Sequence, residues 1–309
     1  MVRVERSTGE VGYGEAAPIP GFSGESVEED ETAVRELGDR LEENQWTELP
    51  AELACLKQAL AAAVENATDQ KNPAPGLPGD YLPVAALLPA GQEALLKIPP
   101  LLEAGFRIFK WKVGVGDPAD ELGWLDELCA ILPEGAKLRL DANGAWDRRR
   151  AERWLQRCAE RPIEFVEQPI APSMRGADDL LLGLAADYPT PLALDESLAG
   201  DGDVERWLGA GWPDVFVVKP ALLADARTSL ARLAAARATV VFSSALETAL
   251  GAQSALRMAL AWSGPARAVG FGVWPLFADR RFDGPATAPF IDRKEIDRIN
   301  PEALWNALN

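Results

Sequence analysis

The sequence predicts an α/β protein, a TIM-like (β/α)7β barrel with a small α+β unit ahead of it. Three observations support this fold class. Short aliphatic and β-branched runs alternate with helical stretches from residue 79 to 275, most of these runs end in a charged or polar side chain, and a proline- and glycine-rich stretch at 70–81 separates them from the N-terminal part. Alternating strands and helices over roughly 200 residues are typical of a parallel barrel.

Residues 1–78 form the predicted α+β unit. The alternating stretch 2–14 predicts a hairpin that turns near Gly9. Ser26 precedes an acidic run and is therefore the predicted N-cap of a helix, and residues 51–66 predict a second, more apolar helix.

Residues 79–275 form the predicted barrel. Seven of its eight expected strands are followed by a helical pattern, and the last is not. The predicted strands span residues 82–88, 107–113, 137–142, 163–167, 192–195, 215–219, 239–243 and 268–273. The tail, 276–309, is expected to return to the N-terminal unit.

Composition excludes several classes of function. The 309-residue chain has a net charge of −17, which disfavours nucleic acid as a partner and favours small molecules or cations. It contains no histidine, so histidine-based nucleophile systems, histidine bases and histidine-ligated metals are excluded. Proton transfer must therefore fall to Lys, Asp, Glu, Tyr or Cys.

Cysteine usage and hydropathy favour a cytoplasmic location without membrane insertion. Cys55, Cys129 and Cys158 are an odd number without close pairing, which favours reduced thiols. The sequence has no signal-peptide pattern and no unbroken apolar run long enough to cross a membrane. Oligomeric state is left open.

Charged or polar side chains end the predicted strands. They are Lys110 and Lys112, Asp141 and Asn143, Glu167, Asp195, Lys219, and Ser243. Because active sites of such barrels lie at the C-terminal ends of the strands, these groups are expected to share one mouth. Residues two apart on a strand face the same side, so Lys110 and Lys112 point inward if Trp111 packs against the helices. Arg139, Asp141 and Asn143 form a similar inward row.

Asp141, Glu167 and Asp195 supply three carboxylates without a nitrogen or sulfur ligand. Hard oxygen ligands favour Mg²⁺, with Mn²⁺ as a substitute, and leave coordination positions for water and substrate. The alternative is that each acid only pairs with a nearby lysine or arginine.

Lys112 and Lys219 lie on predicted strands at either side of the three carboxylates. An amine acts as a base only when it is neutral, and a neighbouring cation such as Lys110 or a metal ion favours the neutral form. Two alternatives remain. Lys110 and Lys112 could neutralise the acids structurally, or Lys112 or Lys219 could form a Schiff base with a carbonyl substrate.

The strand-end motifs resemble those of the enolase superfamily over about residues 10–275. They are "KWK" 110–112, "LRLDANGAW" 138–146, "EFVEQP" 164–169, "LALDES" 192–197, "VVKP" 217–220 and "SSALETALG" 243–251. Lysines on both sides resemble the muconate-lactonizing enzyme subgroup, whereas the mandelate racemase type would need a histidine. Within the subgroup the motifs most resemble the o-succinylbenzoate synthase family, and "GYGEAAPIPGFSGES" 12–26 resembles its capping-domain motif.

This resemblance implies an α+β capping domain made of the N-terminal region and the tail. It also implies that Mg²⁺ and a lysine base act on a small-molecule carboxylate substrate through an enediolate. The substrate would be 2-succinyl-6-hydroxy-2,4-cyclohexadiene-1-carboxylate and the product o-succinylbenzoate, in menaquinone or phylloquinone biosynthesis. Lys112 would remove the proton and return it to the leaving hydroxyl group, while Lys219 stays cationic.

The resemblance also implies substrate-binding or supporting roles for six further residues. They are Lys110, Arg139, Asn143, Glu196, Ser243 and Ser244. Gly12, Gly14 and Gly21 match the capping motif, although turn chemistry alone would also explain them.

Three other readings of this resemblance stay open. N-acylamino acid racemization is compatible with two opposed lysines, whereas dipeptide epimerases carry an Asp-x-Asp pair that "VGFGVWPLFADRR" 269–281 lacks. A non-catalytic barrel used as a binding protein is the third. The chain begins about ten residues ahead of the capping motif, whereas family members have another strand and a mobile loop there. Three explanations stay open: the loop is missing, the start codon is misassigned, or the cap is naturally short.

Overall fold

The computed structural model describes residues 1–42, 45–69, 80–265 and 267–308. Most of the predicted linker at 70–81, and with it the boundary at residue 78, lies outside the described residues. Within the described part of the chain, no helix is both long enough and apolar enough to span a bilayer.

The predicted N-terminal hairpin is confirmed. Strands β1 (Val2–Glu5) and β2 (Val11–Gly14) pair antiparallel. Gly9 lies in their connection with a φ of 94°, a conformation that glycine adopts without strain.

Both predicted N-terminal helices are also confirmed. Helix α1 (Val27–Leu37) begins at Ser26, which accepts from the Glu29 amide while the Glu29 side chain accepts from the Ser26 amide. This reciprocal capping box satisfies amides that the first helical turn leaves free. A short 3₁₀ turn (Gln45–Glu48) leads to α2 (Ala54–Asp69).

Two glycines of β2 serve close packing rather than turns. A Cβ atom on Gly12 would lie 1.9 Å from the carbonyl oxygen of Ala63, and one on Gly14 would lie 1.9 Å from that of Ala59. Both carbonyls belong to α2, so this strand lies against the helix backbone at a distance that only glycine permits. Turn chemistry explains Gly21 alone, whose φ is 77°.

Gly14→Ala is therefore expected to lower the free energy of unfolding by ~1–3 kcal/mol, the usual cost of forcing extra atoms into a packed contact. Chemical denaturation measures this. Gly24→Ala is the matched control, because its new Cβ would meet nothing nearer than 3.9 Å. Equal stability of the two variants would contradict the packing argument.

The barrel region forms one parallel sheet. Strand β3 (Tyr81–Pro83) precedes it. In the sheet, seven strands lie side by side in chain order: β4 (Ala86–Leu88), β5 (Ile108–Lys112), β6 (Lys137–Asp141), β7 (Ile163–Glu167), β8 (Leu192–Leu194), β9 (Val215–Val218) and β10 (Thr239–Phe242). The connecting helices are α3 (Glu93–Glu103), α4 (Pro118–Ile131), α5 (Arg148–Cys158), α6 (Ala177–Asp187), α7 (Asp201–Gly209) and α8 (Ala226–Ala235), and α9 (Ala249–Leu260) follows β10. A 3₁₀ turn, Pro220–Leu222, follows β9.

The prediction of one strand at 82–88 is wrong, because that segment divides between two sheets. β3 pairs antiparallel with a strand of the tail, and β4 pairs in parallel with β5.

The predicted last strand at 268–273 is also not a regular strand. It makes single parallel bridges, Ser243 with Gly270 on one side and Val84 with Val269 on the other. A Cβ on Gly270 would lie 2.6 Å from Ser243 Oγ, so this glycine allows the close approach. The segment links β10 to the start of β4, as an eighth strand would.

The predicted alternation of β5 is confirmed. Phe109 and Trp111 are fully buried in the large apolar cluster that also includes residues of the surrounding helices, and Lys110 faces the other way. The inward side chains of the later strands form a separate small cluster. It consists of Phe165, Ala193, Val215, Val217 and Val241.

The tail contacts both β3 and the N-terminal hairpin. A 3₁₀ turn (Arg280–Phe282) precedes β11 (Phe290–Asp292), which pairs with β3. Helices α10 (Arg293–Arg298) and α11 (Pro301–Leu308) follow, and the Trp305 ring lies 6.0 Å from that of Tyr13 on β2. The tail thus meets the N-terminal hairpin, as predicted, and also pairs with a strand that the prediction had placed in the barrel.

Candidate active site

Lys110 lies between two of the predicted metal-binding acids. Its Nζ is 2.8 Å from Asp141 Oδ2 and 2.6 Å from Glu167 Oε1. These contacts follow from the sheet register, which places the residues on adjacent strands, with Asp141 directly opposite Glu167. Burial lowers the pKa of Lys110, but the charges of Glu167 and Asp141 outweigh it and raise the pKa above its usual value. Lys110 therefore acts as a fixed cation.

Lys219 and Asp195 form a second ion pair across the site. The Lys219 Nζ also lies 4.3 Å from the centre of the Phe22 ring, which belongs to the N-terminal unit. Burial lowers the pKa of Lys219 to about 7, and the Lys110 charge adds to this, while Glu167 opposes it. Phe22 was not among the predicted site residues, and its contact brings the N-terminal unit to the barrel mouth.

Glu167 is the most deeply buried of the three acids, at 1% exposed. Burial raises its pKa, Lys110 opposes that effect, and the charge of Asp141 adds to it. The ionised pair Asp141 and Glu167 therefore remains short of positive charge even with Lys110 between its members.

Lys112 differs from the other two lysines. It ends β5 opposite Asp141 in the register, yet its side chain is exposed. In the part of the chain that the structure describes, no acid lies within ion-pairing distance of it. Lys112 and Lys219 come from β5 and β9, which lie on either side of the strands that carry the three acids.

Asn143 and Glu196 lie beside the acids, as predicted. The Asn143 amide donates to Asp141 Oδ1 at 3.1 Å, and its side chain donates to Glu196 Oε1 at 2.9 Å. Glu196 Oε2 is buried and, among the described residues, has no hydrogen-bond partner. Burial raises the pKa of Glu196, and the Asn143 hydrogen bond opposes the rise. A buried oxygen in this state is suited to accept a cation or a water molecule bound to one.

Gln168 is a positioning residue that the prediction missed. It is fully buried, with a φ of 37°, and its Oε1 accepts from the amides of Asp195 and Ser197 at 2.9 and 3.1 Å. Its Nε2 donates to the Ser197 hydroxyl at 2.8 Å. Gln168 therefore holds the end of β8, with Asp195, against the end of β7. Its place directly after Glu167 was the available signal.

Arg139 lies in a buried ion pair instead of lining the mouth. Its Nε donates to Glu164 at 2.7 Å, its guanidinium lies 4.8 Å from the Phe165 ring centre, and the residue is 1% exposed. Arg267 binds the other oxygen of Glu164 at 2.8 Å. Burial raises the pKa of Glu164, but the two guanidinium groups outweigh it and hold the pKa below its usual value. The register shift between β6 and β7 gives Glu164 no partner in the strand pairing.

Both predicted serines donate their hydroxyl groups to other groups of the protein. Ser243 Oγ donates weakly to the carbonyl of Gly270 at 3.5 Å, and Ser244 Oγ donates to Glu247 at 2.9 Å. Burial raises the pKa of Glu247 to about 7. Glu15 of the N-terminal unit accepts hydrogen bonds from the amide and the hydroxyl group of Thr248, the N-cap of α9. Glu15 thereby binds the segment that follows these serines.

The predicted acids are gathered at one mouth but do not form a ready metal cage. Within the described ranges, no three Asp, Glu, His or Cys side chains are arranged to hold a metal ion. The ammonium groups of Lys110 and Lys219 form ion pairs with the carboxylate oxygens instead. The donor set is oxygen alone, which suits a hard cation.

The barrel region is similar to known proteins. A family model described as enolase C-terminal domain-like matches residues 98–289. An o-succinylbenzoate synthase of Thermosynechococcus vestitus is 40% identical over 88% of this chain and 83% of its own length. This chain belongs to the enolase superfamily, in the o-succinylbenzoate synthase family. The predicted family resemblance is confirmed.

One solved structure supports the same placement, and another shows the same fold. The o-succinylbenzoate synthase from Thermosynechococcus elongatus BP-1, solved with magnesium in its active site, has a TM-score of 0.81 and 35% identity, covering 99% of this chain and 90% of that one. The L-Ala-D/L-Glu epimerase from Bacillus subtilis has a TM-score of 0.80 at 23% identity, covering 94% and 87%. The second likeness shows the shared fold alone.

Proposed function

We propose that this protein is an o-succinylbenzoate synthase, a hydro-lyase that converts 2-succinyl-6-hydroxy-2,4-cyclohexadiene-1-carboxylate into o-succinylbenzoate and water. The observation that carries the proposal is the placement of Lys112 and Lys219 on opposite sides of three buried acids. The family of this chain supports the same reaction. The product would enter menaquinone or phylloquinone biosynthesis.

The acids are suited to Mg²⁺ because they offer oxygen ligands and negative charge. Asp141, Glu167 and Asp195 would hold the ion, and the buried, unpartnered oxygen of Glu196 lies ready to support it. Within the described ranges, the ion pairs of these three acids are with Lys110 and Lys219 alone, so the fully ionised cluster, with Glu196, holds two more carboxylates than ion-paired ammonium groups. When bound, Mg²⁺ would stabilise the negative charge that develops on the substrate carboxylate as the neighbouring C–H bond breaks. Mn²⁺ has the same preference for oxygen ligands and is the expected substitute.

Lys112 would both remove the proton from the substrate and return it to the leaving group. Its Nζ is free of ion pairs with the described acids, so it can reach a substrate at the mouth without first breaking a contact. As the neutral amine it takes the proton next to the substrate carboxylate. As the ammonium group it returns that proton to the departing hydroxyl group, which leaves as water from the same face.

Lys219 would act as a cation on the opposite face, because its ion pair with Asp195 favours the ammonium form while burial lowers its pKa to about 7. Its ion pair with Asp195 keeps it directed into the site, where its charge favours the electron-rich form of the substrate. The Phe22 ring covers this ammonium group from the N-terminal side. We assign the N-terminal unit, as far as residue 69, and the tail from 276 to a capping domain, because Phe22, Glu15 and Tyr13 all contact the barrel or the tail.

N-acylamino acid racemization is the second candidate. One amine could remove a proton from one face of the substrate, and the other amine could deliver a proton to the opposite face. One experiment separates the two. The purified protein is offered the cyclohexadiene substrate and, in parallel, N-succinylamino acids, each with Mg²⁺ and with excess chelator. Dehydration that stops on chelation and returns with Mg²⁺ is expected. Racemization without dehydration would replace the first candidate by the second, and full activity in chelator would contradict the metal assignment.

A further inference from the structure

We propose that Glu121 is a positioning residue for Lys112. The proposal rests on the role of Lys112 in the proposed function, and it concerns a side chain that does not contact the substrate mouth itself. Glu121 lies in the first turn of α4, outside all the strand-end motifs, and its side chain is directed back to the loop that leaves β5.

The Glu121 carboxylate accepts hydrogen bonds from three consecutive amides. Its Oε2 accepts from Gly114 at 3.0 Å, and its Oε1 accepts from Val115 at 3.1 Å and from Gly116 at 2.9 Å. The residue is 1% exposed, although the loop around it is largely exposed. A buried carboxylate bound by three amides makes charge-assisted bonds, which are stronger than bonds between neutral groups.

These bonds fix the chain directly after Lys112. Up to Lys112 the backbone is held by the pairing of β5 with β6, and the Val113 amide donates to the Asp141 carbonyl at 2.9 Å. From Gly114 onward the sheet no longer holds it, and Glu121 takes over. The Cα of Lys112 is thus anchored on both sides.

Anchoring of the backbone matters more for Lys112 than for the other lysines. Lys110 and Lys219 are oriented by ion pairs with the acids, whereas the exposed Lys112 side chain has no such pair with any described acid. Its Nζ must therefore be placed through its own backbone. Proton transfer needs hydrogen-bond reach, and an error of about 1 Å in position can cost ~10²-fold in rate.

Glu121→Gln keeps the shape of the side chain but sets an NH₂ group against one of the three amides. We expect kcat to fall about 10- to 100-fold with KM and Mg²⁺ affinity unchanged. Hydrogen exchange at the amides of residues 114–116 should become faster. Asp117→Asn is the matched control, because Asp117 caps the same helix through Ala119 and Asp120 and does not bind this loop. It should leave kcat and the exchange rates unchanged.

A double-variant comparison separates positioning from general loss of structure. In a Lys112→Ala background, Glu121→Gln should lower the residual turnover no further, because residues that act through one group are not additive. An additional loss there, or unchanged exchange at 114–116, would overturn the proposal. Should Glu121→Gln fail to fold, Glu121→Asp keeps the charge with a shorter reach and must show the same kcat loss and faster exchange. The exchange measurement needs no substrate. It therefore tests whether Glu121 holds the loop at residues 114–116 even if the proposed reaction is not observed.

Discussion

Replacing Lys112 by alanine is expected to lower kcat by at least about 10³-fold, within the range that a positioned general acid–base contributes. Magnesium affinity should stay the same, because the Lys112 side chain is exposed and does not pair with the acids of the site. Steady-state turnover of the cyclohexadiene substrate and calorimetric titration with Mg²⁺ measure the two effects separately.

Lys112→Arg distinguishes a base from a mere cation. The guanidinium group keeps the positive charge but does not deprotonate in proteins, so this variant should be as inactive as the alanine variant. Turnover near that of the unmodified protein in either variant would remove Lys112 from its assigned role. Substantial activity in the arginine variant alone would show that charge, and not proton transfer, is what this position supplies.

The second large effect is expected for Asp195→Asn. The asparagine side chain has almost the same shape but carries no charge, so the site would lose one of three proposed anionic ligands, and Lys219 loses its ion-pair partner. Changes to groups that only support a ligand already cost about 10–100-fold in metal affinity or activity. We therefore expect Mg²⁺ affinity to fall by at least about 100-fold, with a parallel loss of turnover.

Asp203→Asn provides the matched control for Asp195. Asp203 lies on α7, in the connection that follows Asp195, and accepts from the Ala199 amide at 2.9 Å without reaching the three acids. Its replacement should leave Mg²⁺ affinity unchanged. If Asp195→Asn binds Mg²⁺ as tightly as Asp203→Asn does, the assignment of Asp195 as a metal ligand is wrong.

The alternation of β5 shows what could be predicted without a structure. Phe109 and Trp111 are apolar and fully buried, and the intervening Lys110 points to the opposite side, as their order along the strand requires. The same rule placed Asp141 and Glu167 at neighbouring strand ends. Such predictions succeed because the direction of a strand side chain depends only on its own backbone.

The role of Arg139 shows where that rule stops. Alternation correctly turns Arg139 inward, yet its partner, Glu164, comes from a register shift in the next strand, and Arg267 lies 103 residues further on from that acid. Neither contact can be predicted from the neighbouring residues in the sequence. Gln168 and Glu121 were missed for the same reason, since their hydrogen bonds go to backbone amides whose positions depend on how the loops fold.

The sequence by itself determined the parallel α/β arrangement, the inward direction of Lys110 and Asp141, and the strand ends at which the charged groups lie, because hydrophobic periodicity and strand geometry are local properties. Only the tertiary structure decided which charges meet. Lys110 binds Glu167 across 57 residues, Glu15 caps a helix 233 residues away, and Lys112 alone of the three lysines at the mouth is left exposed. Those outcomes depend on strand register, on loop paths and on the competition of neighbouring charges for each carboxylate, all of which arise only when distant segments pack together.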